Sequence, residues 1–323
     1  MLQQINKTME RFMPLITPSS VLIGVILASI LSPYTGWVPW IFAFMTFSGS
    51  LSMNFRDLGK VLSHPLPIIV FFLITHTIMP LVAWSIGYIA FPGDPLTITG
   101  LILLLSIPTG IVSFMWVSIY RGHIALTLSI ILIDTMLAPF VVPAALSLFV
   151  GTKVEINTWG MMEGLFWMIV IPSLVGMLLN QWTKGRIKSK VGPTLAPFSK
   201  LGLALVVAIN SSAIADYFTN FNRDMIYLFL ICILVVACGY VIGWGAAKLF
   251  RWDHATVTSL TFNCGMRNIS AGAVLAITYF PPAVTVPVVM GMCFQQMMAS
   301  LFAHLLFRAR SDHALPSSVH KSA

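Results

Sequence analysis

The sequence predicts an all-α polytopic membrane protein whose ten transmembrane helices form two inverted five-helix repeats, with helices four and nine broken. Three observations carry that prediction. The apolar excess is divided into bilayer-length runs, the basic residues gather in the gaps on one side, and matching polar breaks interrupt the fourth and ninth runs. Of 323 residues, 58% are hydrophobic and only 9% are charged, whereas a soluble globular domain carries about a quarter charged residues. The excess is a series of runs, each near the roughly 20 residues that cross a bilayer.

The runs lie at about 14–32, 37–53, 66–91, 96–120, 123–149, 159–182, 195–217, 225–249, 256–280 and 284–307. Turn and charge signals fill the gaps: FPGDP at 91–95, TKGRIKSK at 183–190, RWDH at 251–254 and FPPA at 280–283. A polar leader over 1–13 carries Lys7, Glu10 and Arg11. The run that follows, Leu15 to Leu31, is too long for a signal-peptide core and flows into further runs, so it is read as a span. Cys232, Cys238, Cys264 and Cys293 all fall inside apolar runs, in no spacing that predicts a disulfide or a metal site.

Charge placement sets the orientation. With a cytoplasmic N-terminus, only Lys153 and Arg223 among the 18 Lys and Arg residues fall in outer loops, and Arg267 lies inside a span. The rest, including Arg56, Lys60, Arg121, the 184–190 cluster, Lys248 and Arg251, lie on the inner side with a 308–323 tail. That bias predicts a multi-pass protein of the plasma (inner) membrane with both termini in the cytoplasm. The net charge of +8 is spread over short loops, which points to the lipid bilayer as partner and not to nucleic acid. The sequence sets no oligomeric state.

Ten spans divide into 14–150 and 159–307, separated by GTKVEINTWG. Five spans per half turn the second half upside down relative to the first, the inverted-repeat plan of many secondary transporters. The fourth run is broken by Pro108, Thr109 and Gly110, between Ser106 and Ser113. The ninth is broken over Asn263, Cys264, Gly265, Met266, Arg267 and Asn268, followed by Ser270 and Gly272. Backbone freed inside a membrane must be satisfied by protein or must line a cavity, and paired mid-span breaks point to a transport site. Pro108, Thr109, Gly110, Asn263, Arg267 and Asn268 are therefore the candidate substrate-binding residues. Asn210 joins them from the Asn210–Ser211–Ser212 cluster of the seventh run.

Two charges stand deep in spans. Asp134 lies eleven residues past His123, and Arg267 is as far into the ninth run, so both sit roughly 16 Å from the inner edge. Such charges face a cavity or a partner, and these two are expected to pair. The pair is read either as fixed internal glue or as a transport element, with Arg267 taking a substrate carboxylate and Asp134 a proton. His76, Glu163, Gln295 and Gln296 are lesser polar candidates.

The broken segments also carry a family likeness. SIPTGIVSFMWVSIYRGHIALTLS resembles the fourth-span region of the bile acid:sodium symporter superfamily, CPGGTASNV…ARGNVALS, and NCGMRNISAGAVLA resembles its ninth-span EVGMQNSGLAAAL. Span count, orientation and Pro80 agree along nearly the whole chain. The resemblance implies a panel domain packed on a core domain, with the fourth and ninth helices crossing at their breaks. It implies ion-binding positions at Ser113, Thr127, Thr75 and Asn263, with sodium as the coupling ion; Asp134, which stands where the family has a small polar residue, is a further ion-binding candidate, for a proton. Against the family pattern Phe114 replaces an amide, Ile131 a hydroxyl, Asn263 a glutamate and Arg267 a glutamine. A sodium ion is best met by oxygen ligands that include a carboxylate, and here that carboxylate is absent while a permanent cation stands four residues on.

The expected function is secondary active transport of a small organic anion by alternating access. Sodium symport stays open beside a proton-coupled or facilitated carrier or exporter with the Asp134–Arg267 pair in place of sodium. No Ser/Lys, paired-Asp or HExxH constellation supports an enzyme, and no GxxxxGK[ST] loop supports a nucleotide-driven pump. No cofactor is expected beyond a coupling ion.

Overall fold

The computed structural model of the chain describes residues 15–53, 65–151, 154–219 and 222–311. The leader 1–13, Arg56, Lys60, Lys153 and the tail beyond Ser311 lie outside the described residues, as do the side chains of Arg308 and Arg310.

Helices begin where the local chemistry favours a start. Asp94 accepts from the Thr97 amide at 3.1 Å and Pro95 supplies the first helical residue of α4 (Pro95–Ser106). Asn157 caps α7 (Thr158–Trp182) and Asn222 caps α9 (Arg223–Leu249) in the same way. Asp253 caps α10 (His254–Gly265), and Asn268 caps α11 (Ile269–Tyr279) from within the second break. The other helices are α1 (Leu15–Ile26), α2 (Val38–Ser50), α3 (Leu66–Ala90), α5 (Ser113–Ile119), α6 (Ile124–Val150), α8 (Gly192–Ser212) and α12 (Pro282–Ser311).

Six helices (α3, α6, α7, α8, α9 and α12) are long and apolar enough to cross a membrane singly. A seventh span arises if α1 and the stretch Ala28–Ser50, which meet at 87°, are taken together. The fourth and ninth runs exist as half-helices, none with the roughly 20 residues that cross a bilayer alone. The architecture is thus all-α and polytopic, with helices four and nine broken as expected. Two boundaries differ from the sequence reading. The seventh run begins at Gly192, where Pro193 favours a helix start, and ends at Ser212; residues 186–190 form a short helix within an expected loop.

Two layers form. The stretch Ala28–Ser50 packs against α7 and α8, with α8 also reaching back to Ala28–Leu31. Beside this layer, α3, α4, α6, α9, α10 and α12 build the second one, and α7 joins the two by packing on α6. The second layer is reciprocal: α4 packs on α3 and α12, whereas α10 packs on α9 and α6. Likewise α5 packs on α6 and α11 on α12. The half-helices α4 and α10 are its innermost members, with Leu101 to Leu105 and Val257 to Gly265 all buried. α10 tolerates its hydroxyls there because Thr258 and Thr261 donate to the carbonyls of His254 and Val257.

Candidate functional site

The crossing of the two breaks is built from backbone. Ile107 precedes a proline and is extended, which ends α4. Pro108–Gly110 then lies antiparallel to Met266–Asn268, with a bridge between Thr109 and Arg267. The Gly110 amide donates to the Met266 carbonyl at 2.9 Å, and the Asn268 amide to the Pro108 carbonyl at 2.7 Å. Unwound chain inside the bundle thereby satisfies itself, as a membrane interior requires. The approach is close: a Cβ on Gly110 would stand 3.1 Å from the Arg267 carbonyl oxygen. One on Gly265 would run into the Tyr240 ring.

Behind the crossing, toward α3 and α6, the polar groups are bound to one another. One Asp134 oxygen accepts from the Thr109 amide at 2.6 Å, and the other pairs with His76 Nε2 at 2.8 Å. His76 and Thr75 lie in a π-helical turn, Ile74–Ile78, a device that often marks functional positions. Asn263 forms a crossbar: its Oδ1 accepts from Ser113, and its Nδ2 donates to Thr127 Oγ1 at 3.1 Å and to the Ser259 carbonyl at 2.8 Å. Because a carbonyl can only accept, the Ser259 bond fixes which end of the amide is nitrogen. Thr75 Oγ1 donates to the Phe71 carbonyl.

Arg267 belongs to the same closed side. It is 1% exposed, its Nη1 donates to Thr109 Oγ1 at 3.3 Å, and Nε and Nη2 are buried without a hydrogen-bond partner among the described residues. The direct Asp134–Arg267 ion pair expected from the sequence is not made. The two groups meet through Thr109, one on its amide and the other on its hydroxyl, with the carboxylate in Coulomb range of the guanidinium. Arg267 follows the C-terminal end of α10 by two residues, and Thr109, which it contacts, follows that of α4 by three; both ends carry a partial negative charge.

These residues do not fit a sodium ion. The hydroxyls of Ser113 and Thr127 are held by an amide, and the nitrogen of that amide stands at Thr127. Asp134, the carboxylate of this region, is engaged by Thr109 and His76. A second cation about 5 Å from a guanidinium is repelled by roughly 3 kcal/mol even at an effective dielectric of 20.

In front of the crossing lies a cavity of about 570 Å³ between the two layers, within the size range of small-molecule sites. Thr109, Gly110, Asn268 and Ser270 form its inner wall, with Gln295 and Gln296 beside them. Gln295 accepts from the Arg267 amide, and Gln296 from Trp116 Nε1. Phe42, Met45, Ile111, Leu203 and Met292 supply apolar wall, and Lys188 and Lys200 border it on the side of the 186–190 helix. Arg267 borders the cavity, with its guanidinium turned out of solvent reach.

The structure therefore splits the sequence-predicted set. Thr109, Gly110, Arg267 and Asn268 line the cavity; Ser113, Thr127, Thr75, Asn263 and Asp134 lie behind it, and Pro108 is buried in the crossing strand. Asn210 is fully buried, with neither amide atom hydrogen-bonded among the described residues, and is not among the cavity-lining residues. Lys188 and Lys200 were legible only as topology signals, and Ser259 gave no sign of its role beyond lying one helical turn before Asn263.

Comparison with known proteins identifies the family. A family model described as the sodium bile acid symporter family matches residues 39–221. The chain is 51% identical over 296 residues to "Uncharacterized protein YbaS" of Bacillus subtilis (strain 168), covering 92% of this chain and 97% of that protein. It is 25% identical over 272 residues to "Uncharacterized sodium-dependent transporter YocS" of the same organism, covering 82% and 83%. To "Probable sodium/metabolite cotransporter BASS2, chloroplastic" of Oryza sativa subsp. japonica it is 24% identical, over 76% of this chain and 57% of that protein.

Proposed function

The chain belongs to the sodium bile acid symporter family and is a multi-pass membrane transporter, and on that premise we propose that it carries a small amphipathic organic anion by alternating access. One observation carries the substrate class. The exposed Lys188 borders the cavity, the Arg267 guanidinium lies behind its wall, and no Asp or Glu is found among its described lining residues. An anion is drawn to such a surface and a cation is not. The apolar wall from Phe42 to Met292 suits a hydrocarbon body, while Asn268, Ser270 and Gln295 offer hydrogen bonds to its polar end.

The reciprocal packing of α4 and α10 supports the inverted-repeat reading, in which one layer rocks against the other about a fixed site. Lys188 follows a span end that the positive-inside bias assigns to the cytoplasm. The cavity bordered by it is then the inward-facing one, in a plasma membrane with both termini inside.

Reconstitution in liposomes tests the reading. Vesicles loaded with a pool of monocarboxylates should accumulate a labelled member by counterflow, saturably and faster than protein-free vesicles. Counterflow for organic cations but not for carboxylates would overturn it.

A further inference from the structure

We infer that this carrier binds no coupling sodium at the crossing, because its own side chains already occupy the positions such an ion would need. Resting on the organic-anion reading above, the inference names the coupling of that same site. In transporters with discontinuous helices, the C-terminal ends of half-helices and unwound backbone carbonyls are the groups that hold sodium. Here the two C-terminal ends are those of α4 at Ser106 and α10 at Gly265, and the cation in the crossing that follows them is Arg267, 1% exposed and donating to Thr109. The oxygen set nearby is closed by the Asn263 crossbar, which ties Ser113 on α5 to Thr127 on α6 and returns to Ser259 on α10. The remaining carboxylate, Asp134, is bound on both oxygens. A binding sodium ion would have to displace an amide nitrogen and settle beside a guanidinium that cannot lose its charge.

The energetic consequence is specific. A diffusible cation enters with substrate on one side and leaves on the other, so its gradient does work. A tethered guanidinium crosses with the protein in both directions and returns unchanged, so it completes the field at the crossing without supplying any driving force. The sodium gradient then contributes nothing to accumulation of the anion.

Two measurements on the full-length protein test this. In detergent, the unfolding midpoint of the wild type should be the same in sodium as in potassium or choline chloride at equal ionic strength. In liposomes that show carboxylate counterflow, an inward sodium gradient should leave net uptake unchanged. The Asn263→Glu/Arg267→Gln double variant restores a carboxylate and removes the fixed cation, and sodium should raise its midpoint by several degrees over potassium. Sodium-specific stabilisation of the wild type, or uptake that scales with the sodium gradient, would overturn the inference. A folded double variant blind to sodium would overturn the assignment to these two residues. Absence of counterflow is a separate result, which strikes the organic-anion reading and leaves the midpoint comparison standing.

Discussion

The two faces of the helix crossing follow opposite rules. On the face toward α3 and α6, Asn263, Ser113 and Thr127 are buried and hydrogen-bonded to one another, and the buried Asp134 is held by Thr109 and His76. On the face toward the cavity, Asn268, Ser270, Gln295 and Gln296 are partly exposed. A bonded network of this kind resists deformation, because each lost bond strands a buried group. A half-exposed wall can exchange water for substrate at low cost. The comparison assigns positioning to one face and recognition to the other, and substitutions on the two faces should separate stability from affinity.

The largest effect is expected from Asp134→Ala. It strands the Thr109 amide, leaves His76 without its partner and removes the carboxylate nearest Arg267, a loss of about 3–5 kcal/mol for a broken buried charge set. Thermal unfolding in detergent should show a much lower midpoint. Asp134→Asn keeps an acceptor for Thr109 and should lose less. An alanine variant as stable as wild type would refute the closed-network description. Next comes Asn263→Ala, which deletes the crossbar at about 1–3 kcal/mol and should lower the midpoint with less damage than Asp134→Ala.

The cavity face should respond differently. Lys188→Ala should leave the midpoint near wild type and raise the apparent KM for a carboxylate. An exposed charge contributes at most about 1 kcal/mol, or roughly fivefold in affinity per residue. The increase should shrink in high salt, where such attraction is screened, and an unchanged KM would remove Lys188 from recognition.

The smallest effect lies outside both faces. The hydrogen bond from Thr256, opposed in part by burial, holds the exposed Asp253 carboxyl below the usual carboxylate range. A depressed carboxyl contributes stability above its unfolded value of about 3.9 and loses it as pH falls through the lower folded value. Asp253→Asn caps nearly as well, so neutral-pH stability should barely move while the acid-side slope flattens. An equal slope in both proteins, measured by unfolding below pH 4, would show that this cap is not the source.

Much of the site was legible in one dimension. Pro108 beside the Thr-Gly pair, and the polar run from Asn263 to Asn268, could only be breaks within apolar spans, and the equal depth of Asp134 and Arg267 follows from rise per residue. What could not be read was direction. An antiparallel bridge decides where the side chains of Thr109 and Arg267 lie, and it exists only once the two halves meet. That is why Asp134 pairs with His76 and the Thr109 amide instead of with Arg267. Asn210 looked like cavity lining because it is polar in a span, and it is buried elsewhere because polarity does not fix the face of a helix.

By itself the sequence determined that this chain is a polytopic helical membrane protein with two interrupted helices, since hydrophobic length, loop charge and broken periodicity are local properties that a bilayer reads directly. Only the tertiary structure decided which polar residues are mutually bound and which border an anion-suited cavity. That partition depends on contacts such as Asn263 to Ser113, which are 150 residues apart in the chain and meet only when the two breaks cross.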